Sequence, residues 1–374
     1  MPTLDLVFFD AGGGHRAAAT ALKQSLAQQY PEWTVRLLNL QESLDALDIV
    51  RRVSGVRMQD VYNQLLRKGW TIGSELLIRP MHLLIRLNHA AMVRSLAERW
   101  DGDAPDLLVS LIPNFNRVLL EGYRRVRPGG PMVTILTDLA DFPPHFWIEP
   151  QDQWFICGTQ RAVDQALALG HPARRVLRAS GMILHPRFYE EFPSDRASAR
   201  RRLGLREDLP TGLVLFGGFG SMRMVDIAER IAVSDLAIQL IFICGRNERL
   251  RAKLSEFTFP HPAVVEGFTD EIPRYMHLAD FFIGKPGPGS ISEAIHMRLP
   301  VIVERNAWTL PQERYNTEWV EENKVGVVVS SFDQIVEAIR RLPIEEYRAN
   351  AARLTNRAVF EIPEMLAGIL REAG

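Results

Sequence analysis

Apolar residues in this chain gather in short unbroken runs, such as LDLVFF, LLVSLI, MVTIL, WFIC, GLVLF, LIFIC and VIV, and seldom alternate with polar ones. Runs of this length, bounded by turn residues, predict strands buried on both faces. They fall at residues 4–10, 34–39, 107–111, 132–137, 154–157, 212–216, 239–244, 263–266, 281–283, 301–303 and 326–329. Between most of them the apolar positions recur with helical spacing, as at 17–29 and 290–297. Strand–helix alternation with buried strands predicts parallel sheets covered by helices on both sides.

The alternation runs to about residue 160 and restarts near 212, after the Pro- and Arg-rich passage HPRFYEEFPSDRASARRRLGLREDLP (185–210). That passage reads as an interdomain connection carrying a helix over 197–203. A chain of 374 residues exceeds what one hydrophobic core usually supports. The expected fold class is therefore α/β, with two facing Rossmann-like doubly wound domains and ligands at the carboxyl ends of both sheets. Residues 1–180 would form the first domain and 181–345 the second. Residues 346–374 would form a helical segment packing back toward the first.

Composition narrows the partners. Lysine and arginine number 44 against 45 acidic residues, a formal net charge of −1, which provides no field for a nucleic-acid backbone. The two cysteines, Cys157 and Cys244, sit inside apolar runs and read as buried thiols in a reducing compartment. The opening MPTLDLVFFD has an acid where a secretory leader would carry a base. The longest uncharged run, 209–222, is too short and too glycine-rich to span a bilayer. The expectation is a cytoplasmic protein whose membrane contact, if any, is peripheral.

Three glycine-rich corners each follow a predicted strand: FFDAGGGHRAAA, LFGGFGSM and IGKPGPGSISEAI. Small residues there let the backbone turn sharply or approach a ligand, and the helix that follows offers unpaired amides to an anion. Taken singly, such corners also serve as plain tight connections. No Walker loop and no strict Gly-x-Gly-x-x-Gly fingerprint is present, so nucleotide hydrolysis and nicotinamide chemistry rank low. The third corner says more, because Glu293 falls on the first turn of its helix and Pro311-Gln312-Glu313-x-x-Asn316 follows about twenty residues later.

Together, GGGHRAAA (12–19), LTDLADFPPHFW (136–147), FGGFGSM (216–222), FICGRNERL (242–250), EGFTDEIPRYMHLADFFIGKPGPGSISEAI (266–295) and PQERYN (311–316) resemble one family of glycosyltransferases. These are GT-B enzymes of the glycosyltransferase family 28 type. They include the monogalactosyldiacylglycerol synthases, the processive diacylglycerol glucosyltransferases and the N-acetylglucosaminyltransferase that completes the cell-wall lipid precursor. The motifs span nearly the whole chain in order, and the likeness to the diacylglycerol galactosyltransferases is the strongest.

The resemblance implies a UDP-sugar held by the second domain. Glu293 would bind the uridine ribose, and the backbone at Gly267 and Phe268 the uracil. Gly217, Gly218, Ser221, Gly287, Gly289 and Ser290 would cradle the diphosphate. Gln312 and Glu313 would position the sugar, with Asn316 in support. In the first domain, Gly13 and Gly14 would admit a lipid acceptor, and His15 and Asp138 would be catalytic. A histidine can serve as general base near neutral pH. The resemblance leaves open whether His15 or Asp138 is the base. Plainer readings are a helix-entry residue bonded to backbone for His15 and a turn cap for Asp138; His145 is a weaker catalytic candidate. The implied reaction is inverting transfer of a hexose from a UDP-sugar to a lipid hydroxyl, diacylglycerol-type by preference, at the inner membrane face. Helix dipoles would stabilise the departing diphosphate, with no cofactor and no essential metal. Rival readings are an N-acetylglucosaminyl transferase to another lipid or glycan, a UDP-N-acetylglucosamine 2-epimerase, and a non-catalytic UDP-sugar-binding protein.

The segment RKGWTIGSELLIRPMHLLIRLNHAAMVRSL (67–96) mixes apolar bulk with arginines and suits either an anionic lipid surface or a pair of core-covering helices that Pro80 would break or kink. Arg124, Arg125 and Arg127 could add to such a surface, though an ordinary solvated face is the favoured reading. Asp101-Gly102-Asp103 reads as a turn. Two stretches depart from the family pattern. Ile112 stands where the galactolipid synthases tend to carry a histidine, and ERNAWTL (304–310) places Trp308 where the family often has smaller residues. Galactose, glucose and N-acetylglucosamine all stay open as the sugar, and the oligomeric state is left unassigned.

Overall fold

The computed structural model describes residues 1–10, 13–44, 74–192 and 195–373, with nothing said of the side chains of 74–84. Two compact units divide the chain. One comprises Met1–Pro186, Leu310–Gln312 and Asn356–Gly374; the other comprises Arg187–Thr309 and Glu313–Thr355.

The first unit runs β1 (Thr3–Phe8), α1 (Gly14–Gln29), β2 (Thr34–Asn39), α2 (Leu40–Leu44), α3 (Ser74–Trp100), β3 (Leu107–Ser110), α4 (Asn116–Val126), β4 (Met132–Ile135), β5 (Trp154–Cys157), α5 (Gln160–Ala168) and β6 (Val176–Arg178). Its strands pair in the order β2-β1-β3-β4-β5-β6, all parallel. Every residue of β3, β4 and β5 is buried, which is why these strands read as continuous apolar runs. One core cluster joins the sheet to Ala18, Ala19, Leu22 and Leu26 of α1. The other joins it to Met92, Val93, Leu96 and Trp100 of α3 and to Val118, Leu119 and Tyr123 of α4.

The second unit continues with α6 (Arg196–Arg202), β7 (Thr211–Leu215), α7 (Arg223–Ala232), β8 (Gln239–Ile243), α8 (Glu248–Ser255), β9 (Ala263–Glu266), α9 (Ile272–Leu278), β10 (Phe281–Gly284), α10 (Pro288–His296), β11 (Val301–Glu304), α11 (Pro311–Glu322), β12 (Gly326–Val329), α12 (Ile335–Arg340) and α13 (Ile344–Ala352). Its parallel order is β12-β11-β10-β7-β8-β9. The last helix, α14 (Ala358–Ala373), groups with the first unit. There Ala358, Ile362, Leu366 and Ile369 join the cluster of α1, and Ser25 Oγ donates to the Val359 carbonyl at 2.7 Å. Within the stretch 346–374, α13 therefore stays with the second unit and only α14 returns to the first.

Two features, an added strand and an unbroken helix, differ from the sequence reading. The strand β6 was not expected, because only Val176 of its three residues is buried and no apolar run marks it. The helix α3 continues through Pro80 instead of breaking there. Proline removes one hydrogen bond and costs about 3 kcal/mol, which the burial of Met92, Val93, Leu96 and Trp100 along the same helix offsets. Arg124 and Arg127, considered for a lipid surface, are paired with Asp152 and Asp106 at 2.8 Å each.

The N-terminal part of the basic-apolar segment, 67–73, lies outside the described residues. On α3, Leu87 is 74% exposed beside exposed Arg86. Among the described residues no helix is long and apolar enough to cross a membrane. Asp101–Asp103 forms the turn after α3, with Gly102 at φ +72° and Asp103 bonded to Arg36. Cys157 and Cys244 are buried free thiols, pushed by burial up to about 12 and about 11.

Leu366 is fully buried between α14 and the first unit's sheet. Leu366→Ala should destabilise that unit by about 2–5 kcal/mol, read as a lower urea midpoint at unchanged slope.

Candidate active site

In the first unit the strand order reverses between β1 and β3, so the connections leaving these strands diverge and open a crevice at their carboxyl ends. Gly13 caps α1 with φ +87°, a left-handed conformation that favours glycine, and no side chain caps this helix. Nothing stands within 4 Å of the position a Cβ would take at Gly13 or Gly14, so the backbone here is open.

His15 follows on the first turn, half-buried. Its Nδ1 lies 3.1 Å from Thr137 Oγ1, its ring is hydrogen-bonded to the backbone at Leu111, and the Trp147 ring is 5.8 Å away, tilted by 50°. Burial lowers its pKa to about 4, against a smaller raising effect from the Leu111 contact, so the imidazole is neutral at physiological pH. The carboxyl ends of β1, β3 and β4 thus each supply one part of the histidine's setting.

Asp138 is buried, and its Oδ2 accepts the Trp147 indole N–H at 2.8 Å. Trp147 is fully buried and fixed at two further points, one of them through Asp141, which also holds the loop at His145. Its backbone N–H donates to Asp141 Oδ1 at 2.6 Å, its carbonyl accepts from Asn116 Nδ2 at 3.0 Å, and Asp141 Oδ2 also takes the His145 N–H at 2.9 Å. The loop LTDLADFPPHFW is therefore folded around Asp141 so that Trp147 stands between Asp138 and His15. His145 is exposed with φ +65°, and its backbone N–H is held by Asp141. Ile112 is fully buried in the cluster of α3 and α4, so this departure from the family pattern sits in the core.

In the second unit the reversal falls between β7 and β10, whose ends carry the second and third glycine corners. Gly217 and Gly220 have positive φ, and a Cβ at Gly220 would stand 2.7 Å from the Cys244 carbonyl oxygen. The Arg246 N–H donates to the Gly218 carbonyl at 2.9 Å, which ties the second corner to the end of β8. Ser221 Oγ accepts the Arg223 N–H at the start of α7. Gly287 caps α10 without a side-chain bond, followed by Pro288, Gly289 and Ser290. The first amides of α10 have no earlier carbonyl in the helix to bond, so they and the positive end of the helix dipole suit an anion.

Glu293 lies half-buried on α10, and burial alone pushes its carboxyl up to about 8. Phe268 is 59% exposed beyond β9, with the Arg246 guanidinium 4.7 Å above its ring, and Gly267 precedes it. Lys285 Nζ is paired with Glu313 Oε1 at 3.1 Å. Gln312 groups with the first unit and Glu313 with the second, so the assigned sugar pair is split at the start of α11. Asn316 is fully buried and donates from Nδ2 to the Pro286 carbonyl at 2.8 Å, fastening the third corner from beneath without reaching out to a ligand. Among the described residues, no cluster of three or more histidine, cysteine or acidic side chains could hold a metal.

Sequence reasoning passed over Thr137, Trp147, Lys285 and Arg246. The signal was present, since all four lie within the motifs quoted for the family, but the partners of Thr137 and Lys285 are 122 and 28 positions away along the chain.

Comparison with known proteins follows from this geometry. Residues 214–343 match the glycosyltransferase family 28 C-terminal domain. The chain is 26% identical to monogalactosyldiacylglycerol synthase 1, chloroplastic, of Arabidopsis thaliana, over 98% of this chain and 71% of the relative. In fold it is similar to MurG of Acinetobacter baumannii (TM-score 0.60, 12% identity, 98% of this chain and 99% of that one). It is equally similar to the UDP-GlcNAc 2-epimerase of Neisseria meningitidis bound to UDP-GlcNAc (TM-score 0.58, 14% identity, 99% and 100%). Both solved structures share the arrangement of two Rossmann-like domains, and this chain has the GT-B fold.

Trp147→Phe keeps the ring and removes the indole donor, leaving a buried carboxyl short of one partner. The variant should lose about 1–3 kcal/mol of stability in urea denaturation. An unchanged midpoint would show that Asp138 does not depend on this bond.

Proposed function

We propose that this chain, which has the GT-B fold and matches the glycosyltransferase family 28 C-terminal domain over residues 214–343, is a UDP-sugar glycosyltransferase that transfers a hexose, with inversion, to the hydroxyl of a diacylglycerol-type lipid. UDP-galactose is the first donor to test, because the curated relative is named for galactosyl transfer to that lipid class. The observation that carries the reading is that two glycine corners, one of them opening the helix that carries Glu293, follow the strands β7 and β10 at the strand reversal of the second unit, with Phe268 after the parallel edge strand β9.

In this reading Glu293 accepts the two ribose hydroxyls, Phe268 covers the uracil, and the amides of α10 with the turn before α7 hold the diphosphate. The leaving diphosphate gains negative charge as the glycosidic bond breaks, and fixed amides stabilise it without reorganising. In this reading the transfer needs no metal. In the first unit, neutral His15 accepts the proton of the acceptor hydroxyl as that oxygen attacks the anomeric carbon. A single displacement of this kind inverts the anomeric centre. Leu111 and Thr137 fix the ring's orientation, and the Trp147 ring offers its π face to the imidazolium that forms. Asp138, one hydrogen bond behind Trp147, adds a negative charge on the same side. We place the reaction at the cytoplasmic face of a membrane, with the exposed Leu87 and Arg86 of α3 as part of the peripheral contact.

A screen pairing several UDP-sugars with total lipid extract tests the reading. Label should move into a lipid-soluble product, and conversion of UDP-N-acetylglucosamine without any lipid would instead make the chain an epimerase. His15→Ala should reduce kcat about 100-fold or more with donor KM nearly unchanged. Thr137→Val should reduce kcat in the same sense by a smaller factor, and Thr137→Ser should restore it.

The pH dependence has a fixed sign. Ribose hydroxyls donate to a carboxylate and so favour the charged form of Glu293. Its unliganded pKa of about 8 means that binding below that pH releases a proton. Donor affinity should therefore rise from pH 6 to about 8 and then level, and Glu293→Gln should flatten the profile. The lowered His15 pKa of about 4 means that no loss of base should appear near pH 6.5.

A further inference from the structure

Lys285 leaves β10 at the point where the second and third corners meet. Its Cε is 3.3 Å from the position of a Cβ at Gly287, so the absence of that side chain makes room for its stem, and 3.8 Å from that at Gly217, so the stem runs beside both corners. Its Nζ is 3.1 Å from Glu313 Oε1, and that oxygen is itself 3.8 Å from the Gly287 position. The lysine is 42% exposed while the glutamate is only 10% exposed. A carboxylate thus holds a cation set between two corners suited to a phosphate-bearing ligand, on the side where α10 begins.

We propose that the Lys285–Glu313 ion pair is an exchangeable latch in the donor site. The diphosphate takes Lys285 from Glu313, and the carboxylate released in this way accepts hydroxyls of the transferred sugar. The inference rests on the donor site described under Proposed function.

The exchange distinguishes donor from product. A nucleotide sugar displaces Glu313 and gives it new donors in return. UDP alone takes Lys285 and leaves the carboxylate, mostly buried, without that exchange. The pair therefore weakens UDP more than UDP-sugar and favours product release after transfer.

Calorimetric titration of the full chain with UDP, and with the UDP-sugar that the lipid screen selects, tests this. Glu313→Gln removes the competitor for Lys285 and should tighten UDP about two- to fivefold, the range expected of a half-exposed ion pair. The preference for UDP-sugar over UDP should fall in the same variant. Lys285→Met should weaken UDP about tenfold or more, as loss of a charged contact to phosphate does. In that background, adding Glu313→Gln should no longer tighten UDP. The latch is overturned if Glu313→Gln leaves UDP affinity unchanged or weaker while the wild type binds normally. It is equally overturned if Glu313→Gln tightens UDP as much without Lys285 as with it. Absence of UDP binding to the wild type would overturn the donor site itself and the latch with it.

Discussion

A parallel sheet whose strand order reverses cannot close over the carboxyl ends of the two strands at the reversal, and both units of this chain place their functional residues at that gap. In the first unit it falls between β1 and β3, and in the second between β7 and β10. Every helix that enters from such a gap presents unpaired amides there. Glycine is then the residue that lets a ligand approach them, which is why three glycine corners occur where the sheet topology makes room.

The electrostatics of the two sites are opposite in character. The histidine of the first is kept neutral, with a hydroxyl and a backbone contact as partners and an aromatic face nearby. It is thus ready to receive a proton but holds none beforehand. The second has the start of α10, which no side chain caps, and a lysine, both favouring negative charge. It also has a glutamate whose burial penalises charge until hydroxyl donors arrive. In the proposed reaction, acceptor activation and leaving-group stabilisation would be divided between two folds of the same type, each with the polarity its half requires.

Much of the architecture was legible because burial on both faces leaves little freedom in a strand's composition. The apolar runs located their strands to within two residues at each end. The edge strand Val176–Arg178, buried at one position only, left no such trace. The glycine corners were equally plain, since positive φ and open backbone restrict residue type directly. The contacts that give the corners their chemistry were not. Thr137 meets His15 across 122 positions, and Lys285 meets Glu313 across 28, separations that no local pattern encodes. Asn316 looked like a ligand group beside Gln312 and Glu313, but helical geometry turns it inward, where it secures Pro286. Pro80 shows the converse, a strong local breaker outweighed by packing along the rest of its helix.

The central claim is that the reversal in the second unit is a UDP site with Glu293 on the ribose. A crystal structure of the chain soaked with UDP tests it most directly. The account predicts diphosphate oxygens within about 3 Å of the Gly289 and Ser290 amides and both ribose hydroxyls on the Glu293 carboxylate. Nucleotide bound elsewhere, with Glu293 untouched, would contradict it.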